Sequence, residues 1–215
     1  IKQVTNLDFS AYKKETILRR IKRKMTITKI TSLEEFVDYL EVNIKEVTAL
    51  QKDLLIGVTK FFRDQQAFEY LGERVIPEIV QKAKNSIKVW IAGCSTGEEA
   101  YSVAILFYEQ IRQANRPINL KIFATDIDKD AIAKASLGTF SESTAADVPK
   151  DYLGKYFVKE GEDYKISKVI RDLIIFTAHD ISKDPPFHKL DLVVCRNMLI
   201  YFQPKLQKRV FATFN

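Results

Sequence analysis

Cysteine is nearly absent from this 215-residue chain. Cys94 and Cys195 are too few for a disulfide framework and lack the spacing of a metal-binding cluster, so both are read as reduced thiols, which fits the cytoplasmic compartment expected from the lack of a membrane span and a signal peptide, and no metal site is expected. Long apolar runs are also missing. None approaches the roughly 20 residues that a membrane-spanning helix needs, and the N-terminus carries no signal-peptide pattern, so no direct membrane insertion is expected. The chain opens on Ile1 without a methionine and stops in an apolar, helix-like segment, the pattern expected of a piece of a longer protein. Acidic residues are scarce at one end. Residues 1–30 hold nine Lys/Arg against Asp8 and Glu15 alone, while the formal net charge of the whole chain is +6, so everything after Ile30 is close to neutral. That asymmetry points to a basic docking surface for an acidic partner, either nucleic acid or an acidic protein helix. The balance of apolar and charged residues is that of a soluble globular protein with a real core, in one large or two modest domains.

The most informative stretch runs from Ile87 to Ala104. Ile87, Val89, Trp90, Ile91 and Ala92 form a nearly unbroken apolar run, the pattern of a parallel strand covered on both faces. Gly93 and Gly97 then let the backbone turn tightly into a helix and stay open to a ligand. The turn lacks the Lys and Ser/Thr that end a phosphate loop and carries Glu98 and Glu99 instead. Two carboxylates would repel a pyrophosphate. They suit ribose hydroxyls, an ammonium or a sulfonium, and S-adenosylmethionine offers all three. The alternative is an ordinary strand-to-helix turn with a solvated helix start.

Along the chain, Phe9, Tyr12, Ile17, Ile21 and Met25 fall at near-helical spacing, with Lys13, Lys14, Arg19, Arg20, Lys22, Arg23 and Lys24 mostly on the other faces. This predicts a basic amphipathic helix, whose plainer reading is a solvated face. Ser32 and Glu35 form a capping box that starts a second helix through Phe36, Val37, Leu40 and Val42, and a third helix is predicted over 45–56. After Gly57–Asp64, Asp64 is placed to cap a helix carrying Ala67, Phe68, Leu71, Val75 and Ile76, with Pro77 and a polar run leading to the first strand. A helix is predicted to about Ala114, then a second strand over 119–125. Its tip carries Asp126, a ribose-binding signal. The separation from Gly93 exceeds the roughly 20 residues of the dinucleotide fingerprint, which disfavours a nicotinamide dehydrogenase. Asp128 can cap the next helix, leaving open which aspartate is structural. Residues 138–169 read as an insertion: a polar loop, a short helix near Tyr152 and a hairpin turning at Gly161. Further strands are predicted over 173–176 and 190–194, followed by His179-Asp180 and Cys195-Arg196-Asn197, and Pro204 starts the last helix. Gly93, Asp126, Asp180 and Asn197 thus all fall at strand tips, where open parallel sheets bind ligands.

The motifs TKFFRD (59–64), GCSTGEEAYS (93–102), FATDID (123–128) and CRNMLIYF (195–202), in this order, resemble those of the chemotaxis receptor methyltransferases, and most closely the versions found in hybrid signalling proteins. The resemblance covers nearly the whole chain. It implies an α/β fold: a Rossmann-like class I methyltransferase parallel sheet of strand order 3-2-1-4, with the C-terminal strands missing, a small all-α N-terminal domain and a β-hairpin insertion. The implied domains are a helical docking domain (1–64), a connecting helix (65–84) and the methyltransferase domain (85–215) with its insertion at about 139–170. It further implies that S-adenosylmethionine is the cofactor and S-adenosylhomocysteine the product, with protein glutamates methylated. The implied cofactor-binding residues are Thr59, Arg63, Gly93, Glu99, Asp126, Asp180, Ile181, Asn197 and Met198, with Arg63 and Tyr201 beside the chemistry. Arg19, Arg20, Lys22, Arg23 and Lys24 would dock an acidic helical region of a chemoreceptor or other signalling protein onto a monomeric domain, with no nucleic acid involved. Cys94 and Cys195 would lie on neighbouring strands, unbridged. One departure is Gly57, where many family members have an asparagine that touches the cofactor.

Two rival readings exist. Asp184-Pro185-Pro186-Phe187 looks like the catalytic tetrapeptide of amino-group DNA methyltransferases, but it precedes the fourth strand instead of following it and is read as a tight loop. A cofactor-sensing or scaffolding domain that has lost activity is kept alive by Gly57.

Overall fold

In the computed structural model, which describes residues 1–214, four helices open the chain: α1 (Lys2–Thr5), α2 (Lys14–Thr28), α3 (Leu33–Val42) and α4 (Ile44–Leu54). The Ser32 hydroxyl accepts a hydrogen bond from the Glu35 N–H at the start of α3, one half of the expected capping box. Phe36, Leu50 and Leu54 form a small buried core, against which Phe9, Ile17, Ile21 and Met25 pack. Phe9 and Tyr12, expected on the basic helix, lie ahead of it. The Asp8 carboxylate accepts from the Ser10 N–H at 2.9 Å, a local turn that competes with helix. Phe9 and Tyr12 then meet edge to face at 5.1 Å.

The next stretch carries α5 (Gln65–Tyr70) and α6 (Ile76–Lys82), joined by a wide π-helical turn at Leu71–Val75. Pro77 was expected to close this segment. The helical path continues past it instead, because the wide turn lets α6 restart with proline in its first turn, where a missing N–H leaves no bond unmade. There follow β1 (Ser86–Ala92), α7 (Glu98–Ala114), β2 (Asn119–Asp126), α8 (Lys129–Leu137), β3 (Thr139–Ser141), α9 (Glu142–Ala145), α10 (Lys150–Tyr156), β4 (Phe157–Glu160), β5 (Asp163–Ile166), α11 (Lys168–Arg171), β6 (Ile174–Ala178) and β7 (Leu192–Val194).

The four long-range strands make one parallel sheet in the order β6-β2-β1-β7, which is the 3-2-1-4 order expected of the fold. β1 is central, and Val89, Trp90 and Ile91 are fully buried, as a strand covered on both faces requires. Trp90 satisfies its indole N–H by donating to the Thr125 hydroxyl at 2.9 Å on β2. α7 covers the sheet with Tyr101, Val103, Ala104, Ile105 and Phe107. The Asp184–Phe187 loop is structural: Phe187 stacks on Phe123 at 4.8 Å and meets Trp90 edge-on at 5.2 Å.

The insertion forms a second, antiparallel sheet in the order β3-β5-β4. Its hairpin turns at Gly161 as expected. β3 was read as polar loop, because three residues with one apolar side chain, Phe140, carry no periodicity to detect. Its pairing partner lies 24 residues on, at Tyr164 opposite Phe140.

After β7 come a 3-10 turn at Leu199–Tyr201 and α12 (Pro204–Thr213). This segment groups with the N-terminal helices, so the two compact units are residues 1–56 with the chain from Asn197, and residues 57–196. The Gln203 amide donates to the carbonyls of Ser10 and Tyr12 at 3.0 and 2.9 Å, the Lys13 N–H donates to the Tyr201 carbonyl at 2.8 Å, and Phe202 meets Tyr12 at 5.0 Å. The sequence-based division at 64 and 65 keeps this segment with the sheet. Among the described residues no helix is long and apolar enough to cross a membrane.

Gly138 joins α8 to the insertion at φ 65°, and a Cβ there would lie 2.5 Å from Ile166 Cγ2 and 2.9 Å from the Tyr101 hydroxyl. Gly161 has the same φ with open space around it. Urea denaturation is expected to show Gly138→Ala losing about 2–4 kcal/mol, from strain plus overpacking, against about 1–2 kcal/mol for Gly161→Ala from strain alone. Equal losses would contradict the packing at Gly138.

Candidate active site

The turn leaving β1 runs through Gly93 (φ 79°), Ser95 (φ 48°) and Gly97 (φ 97°) before α7 begins. The N–H groups of Gly93 and Cys94 both donate to the Thr125 carbonyl, at 2.8 and 2.9 Å, which fastens the turn to β2. One residue further along β2, the Asp126 carboxylate accepts from the Ser95 N–H at 2.8 Å on one oxygen and from the Asp128 N–H at 2.9 Å on the other. Each oxygen keeps a lone pair for a hydroxyl donor. Asp128 caps α8, accepting from the N–H groups of Asp130 and Ala131. The structural aspartate is therefore Asp128.

Ser95 also reaches the segment before α5, its hydroxyl donating to the Gly57 carbonyl at 3.1 Å. A Cβ at position 57 would lie 2.9 Å from that oxygen, so the glycine has a local packing reason. Phe61 is buried edge-on against Phe140 and Phe157, and the Phe62 N–H donates to the Ser102 hydroxyl. Between these anchors the backbone is strained. Phe62 (φ 48°) and Asp64 (φ 60°) are left-handed on either side of Arg63, whose guanidinium donates to the Val58 carbonyl at 2.8 Å. With Ser95 and Asn197 (φ 56°), half of the eight non-glycine residues at positive φ among the described residues lie in three of the four motifs. Such strain concentrates at ligand sites.

Asp64 occupies the cap position of α5, yet its side chain makes no cap bond. It is drawn instead to Arg196, a residue that the sequence reading passed over as one letter of a motif. One Arg196 nitrogen donates to Glu99 at 2.8 Å, and the other donates to the Arg63 carbonyl at 2.8 Å and to Asp64 at 2.7 Å, with the guanidinium 5.1 Å from the centre of the Phe68 ring. An arginine immediately past a buried strand, beside Asn197, was the available signal.

Glu98 is 6% exposed and accepts from the Thr96 hydroxyl, with no cation paired to it among the described residues. Burial raises the pKa of Glu98, Glu99 and Asp126 above the usual carboxylate range, opposed at Glu99 by Arg196 and Arg63 and at Asp126 by backbone N–H groups. Burial also pushes the Cys94 thiol up, and the Cys195 thiol up to about 12, so both stay protonated near neutrality; both are free. Past β6, Asp180 spends its carboxylate on a turn, accepting from the Ser182 N–H and hydroxyl at 2.9 and 2.6 Å, with Lys183 at 3.3 Å. Half-buried Ile181 follows, and Thr59 is half-buried in the 57–64 segment. Hydrogen bonds thus fasten the Gly93–Ser95 turn to Thr125, Asp126 and Gly57, and join Glu99 to the Arg63 backbone through Arg196, with Asp180 at the next strand tip. Asn197, Met198 and Tyr201 follow β7 in the chain and group with the other unit.

Residues 57–215 match the family described as CheR methyltransferase, SAM binding domain, and residues 1–55 match CheR methyltransferase, all-alpha domain. The chain belongs to the CheR methyltransferase family. It is 42% identical over 94% of its length to an uncharacterised 104.1 kDa protein of Rhodobacter capsulatus, and it spans only 22% of that relative. It is 33% identical to a putative methyltransferase, Cher3, of Pseudomonas putida and 28% identical to a chemotaxis protein methyltransferase of Borreliella burgdorferi, covering 97% of this chain and 77% of the relative in both cases. The family's domain binds S-adenosylmethionine and transfers its methyl group. The donor set here fits that cofactor: open glycine turns, an aspartate with spare acceptor capacity and buried carboxylates suited to a cationic ligand.

The buried carboxylates should leave a pH signature in the ligand-free protein. A carboxylate whose folded pKa is raised stabilises the fold fully below its unfolded value, near 4.5 for Glu98, and loses that contribution as pH rises through the folded value. At neutral pH the buried Glu98 carboxyl therefore costs stability relative to acid pH. Glu98→Gln should melt at a higher temperature than wild type at pH 7, the gap shrinking toward pH 4.5. A gap that is absent or reversed at pH 7 would contradict a Glu98 carboxyl whose pKa burial raises.

Proposed function

We propose that this domain transfers the methyl group of S-adenosylmethionine to glutamate side chains of a chemoreceptor or related signalling protein in the cytoplasm, forming glutamate methyl esters. The observation that carries the reading is the hydrogen-bonded cluster built from the segments at Gly57–Asp64, Gly93–Glu99 and Asp126, within a region that matches the S-adenosylmethionine-binding domain. The names of the relatives, chemotaxis protein methyltransferases among them, support the choice of partner.

When bound, the cofactor supplies an electrophilic methyl on a sulfonium: the glutamate oxygen bonds to the methyl carbon as the carbon–sulfur bond breaks, leaving the ester and S-adenosylhomocysteine. A carboxyl with a reference pKa of about 4.3 is already ionised at neutral pH, so no residue is needed as a base. The chain's work is to bind and align. In this reading Asp126 accepts from the ribose hydroxyls, Glu99 faces the cofactor's ammonium end, and Thr59, Gly93 and Ile181 make the remaining contacts, with Asp180 shaping the turn that presents Ile181. Arg63 clamps the cofactor's carboxylate, since a tight pair with the nucleophile would stabilise the ground state and oppose transfer. The match to the S-adenosylmethionine-binding domain supports an active methyltransferase over an inactive sensor.

On the basic helix, Arg19, Lys22 and Arg23 are exposed, whereas Arg20 is half-buried and Lys24 pairs with Glu46 at 3.0 Å with its side chain only 13% exposed. The docking face therefore rests on Arg19, Lys22 and Arg23 rather than on all five cations, and its occupant is an acidic receptor helix.

Labelled methyl on S-adenosylmethionine, incubated with a candidate receptor, should be released as volatile methanol by alkali; label resistant to alkali would reject ester formation. Arg63→Ala should keep the wild-type melting temperature and lose about a hundredfold in turnover, and unchanged turnover at saturating cofactor would remove Arg63 from the chemistry. Charge reversal at Arg19 and Arg23 should raise KM for the receptor several-fold at low salt without altering cofactor affinity, and the wild-type rate should fall as salt screens the encounter. Equal KM values for mutant and wild type would return α2 to a solvated face.

A further inference from the structure

We propose that Arg196 is the positioning residue of the cofactor site, a single guanidinium that holds the Glu99 carboxylate and the Arg63 backbone at the spacing the cofactor requires. The proposal rests on the reading of these strand tips as the S-adenosylmethionine site. Arg196 follows β7 by two residues and joins two segments that are far apart in sequence, the stretch from Arg63 to Phe68 and the start of α7 at Glu99. Its two terminal nitrogens make three hydrogen bonds, to Glu99 on α7, to the Arg63 carbonyl and to Asp64, all between 2.7 and 2.8 Å. The Phe68 ring of α5 lies 5.1 Å beneath the guanidinium carbon and supports it on one face.

This arrangement ties together the two charged groups assigned to opposite ends of the cofactor's amino-acid moiety. Glu99 gives one oxygen, Oε2, to Arg196, and its other oxygen stays available to a ligand. Arg63 is fixed through its carbonyl, between the left-handed residues Phe62 and Asp64. That backbone favours its strained form only while something outside the segment holds it. The Phe62 N–H bond to Ser102 and the Arg63 bond to Val58 fasten the segment to α7 and to itself, but neither reaches Glu99. Arg196 alone, among the bonds at this turn, joins it to the cradle carboxylate. A planar fork can bind a carboxylate and a carbonyl at once, whereas a lysine ammonium, shorter and without the fork, cannot span both.

The test uses calorimetric titration of S-adenosylhomocysteine, the stable product, into wild type, Arg196→Lys and Arg196→Ala, with melting temperatures recorded without ligand and KM for S-adenosylmethionine from turnover. Arg196→Lys should melt within a few degrees of wild type, bind S-adenosylhomocysteine about tenfold more weakly and show a matching rise in KM. Arg196→Ala should lose more affinity and recover part of it when millimolar guanidinium is added. Wild-type affinity in Arg196→Lys would overturn the proposal, as would an Arg196→Ala protein that is less stable yet binds as wild type does. A wild-type protein that binds neither S-adenosylmethionine nor S-adenosylhomocysteine would instead reject the reading of the site itself.

Discussion

Burying Glu98 and Glu99, with Asp126 half-buried beside them, at the head of one parallel sheet is the constraint on which the unit spanning 57–196 depends. A desolvated carboxylate is tolerated only where hydrogen bonds or cations meet it. Asp126 is met by N–H groups from two turns, Glu99 by Arg196, and Glu98 by a single hydroxyl. Each of these solutions also sets chain direction. The Ser95 N–H can reach Asp126 only if the turn after β1 passes through φ values that favour glycine, and the Arg196 bonds require β7 to end beside the start of α7. The register of the sheet, with Ile91 opposite Ala124 on one side and Val194 on the other, brings those ends level.

Strain and function coincide here for a physical reason. A reaction that needs no general base leaves the protein only alignment and electrostatics to supply. Alignment demands backbone held away from its resting minima, and the left-handed Phe62, Asp64 and Ser95 sit where three segments converge. Aromatic burial of Phe61, with Phe62 packed against Phe68 and Tyr152, keeps the 57–64 segment from relaxing. The two phenylalanines preceding Arg63 are thus anchors whose packing energy holds an arginine in place.

Much of this was legible in the sequence because the decisive signals were local. β1, α7, β2 and the capping roles of Ser32 and Asp128 follow from periodicity and short-range chemistry, and the strand order followed from the family resemblance. What escaped was set by partners distant in the chain. β3 exists because Tyr164 pairs with Phe140, and α6 survives Pro77 because a wide turn precedes it. Asp64 has the right type and position for a cap, yet a guanidinium 132 residues away outcompetes a backbone N–H for its carboxylate. Lys24 looked like one more cation on a basic face until α4 brought Glu46 to it.

The same contrast separates the two kinds of charge in this chain. Arg19, Lys22 and Arg23 are exposed, so their influence on a partner is long-ranged, screened by salt and tolerant of small displacements. Arg196 and Glu99 are largely withdrawn from water, where a pair is worth more but only in one geometry, and where removing either partner strands the other. A long-range attraction and a one-geometry pair serve different tasks, and this chain carries them on different elements. In this chain the exposed cations belong to a helix with no fully buried residue, and the desolvated pair belongs to the head of the sheet.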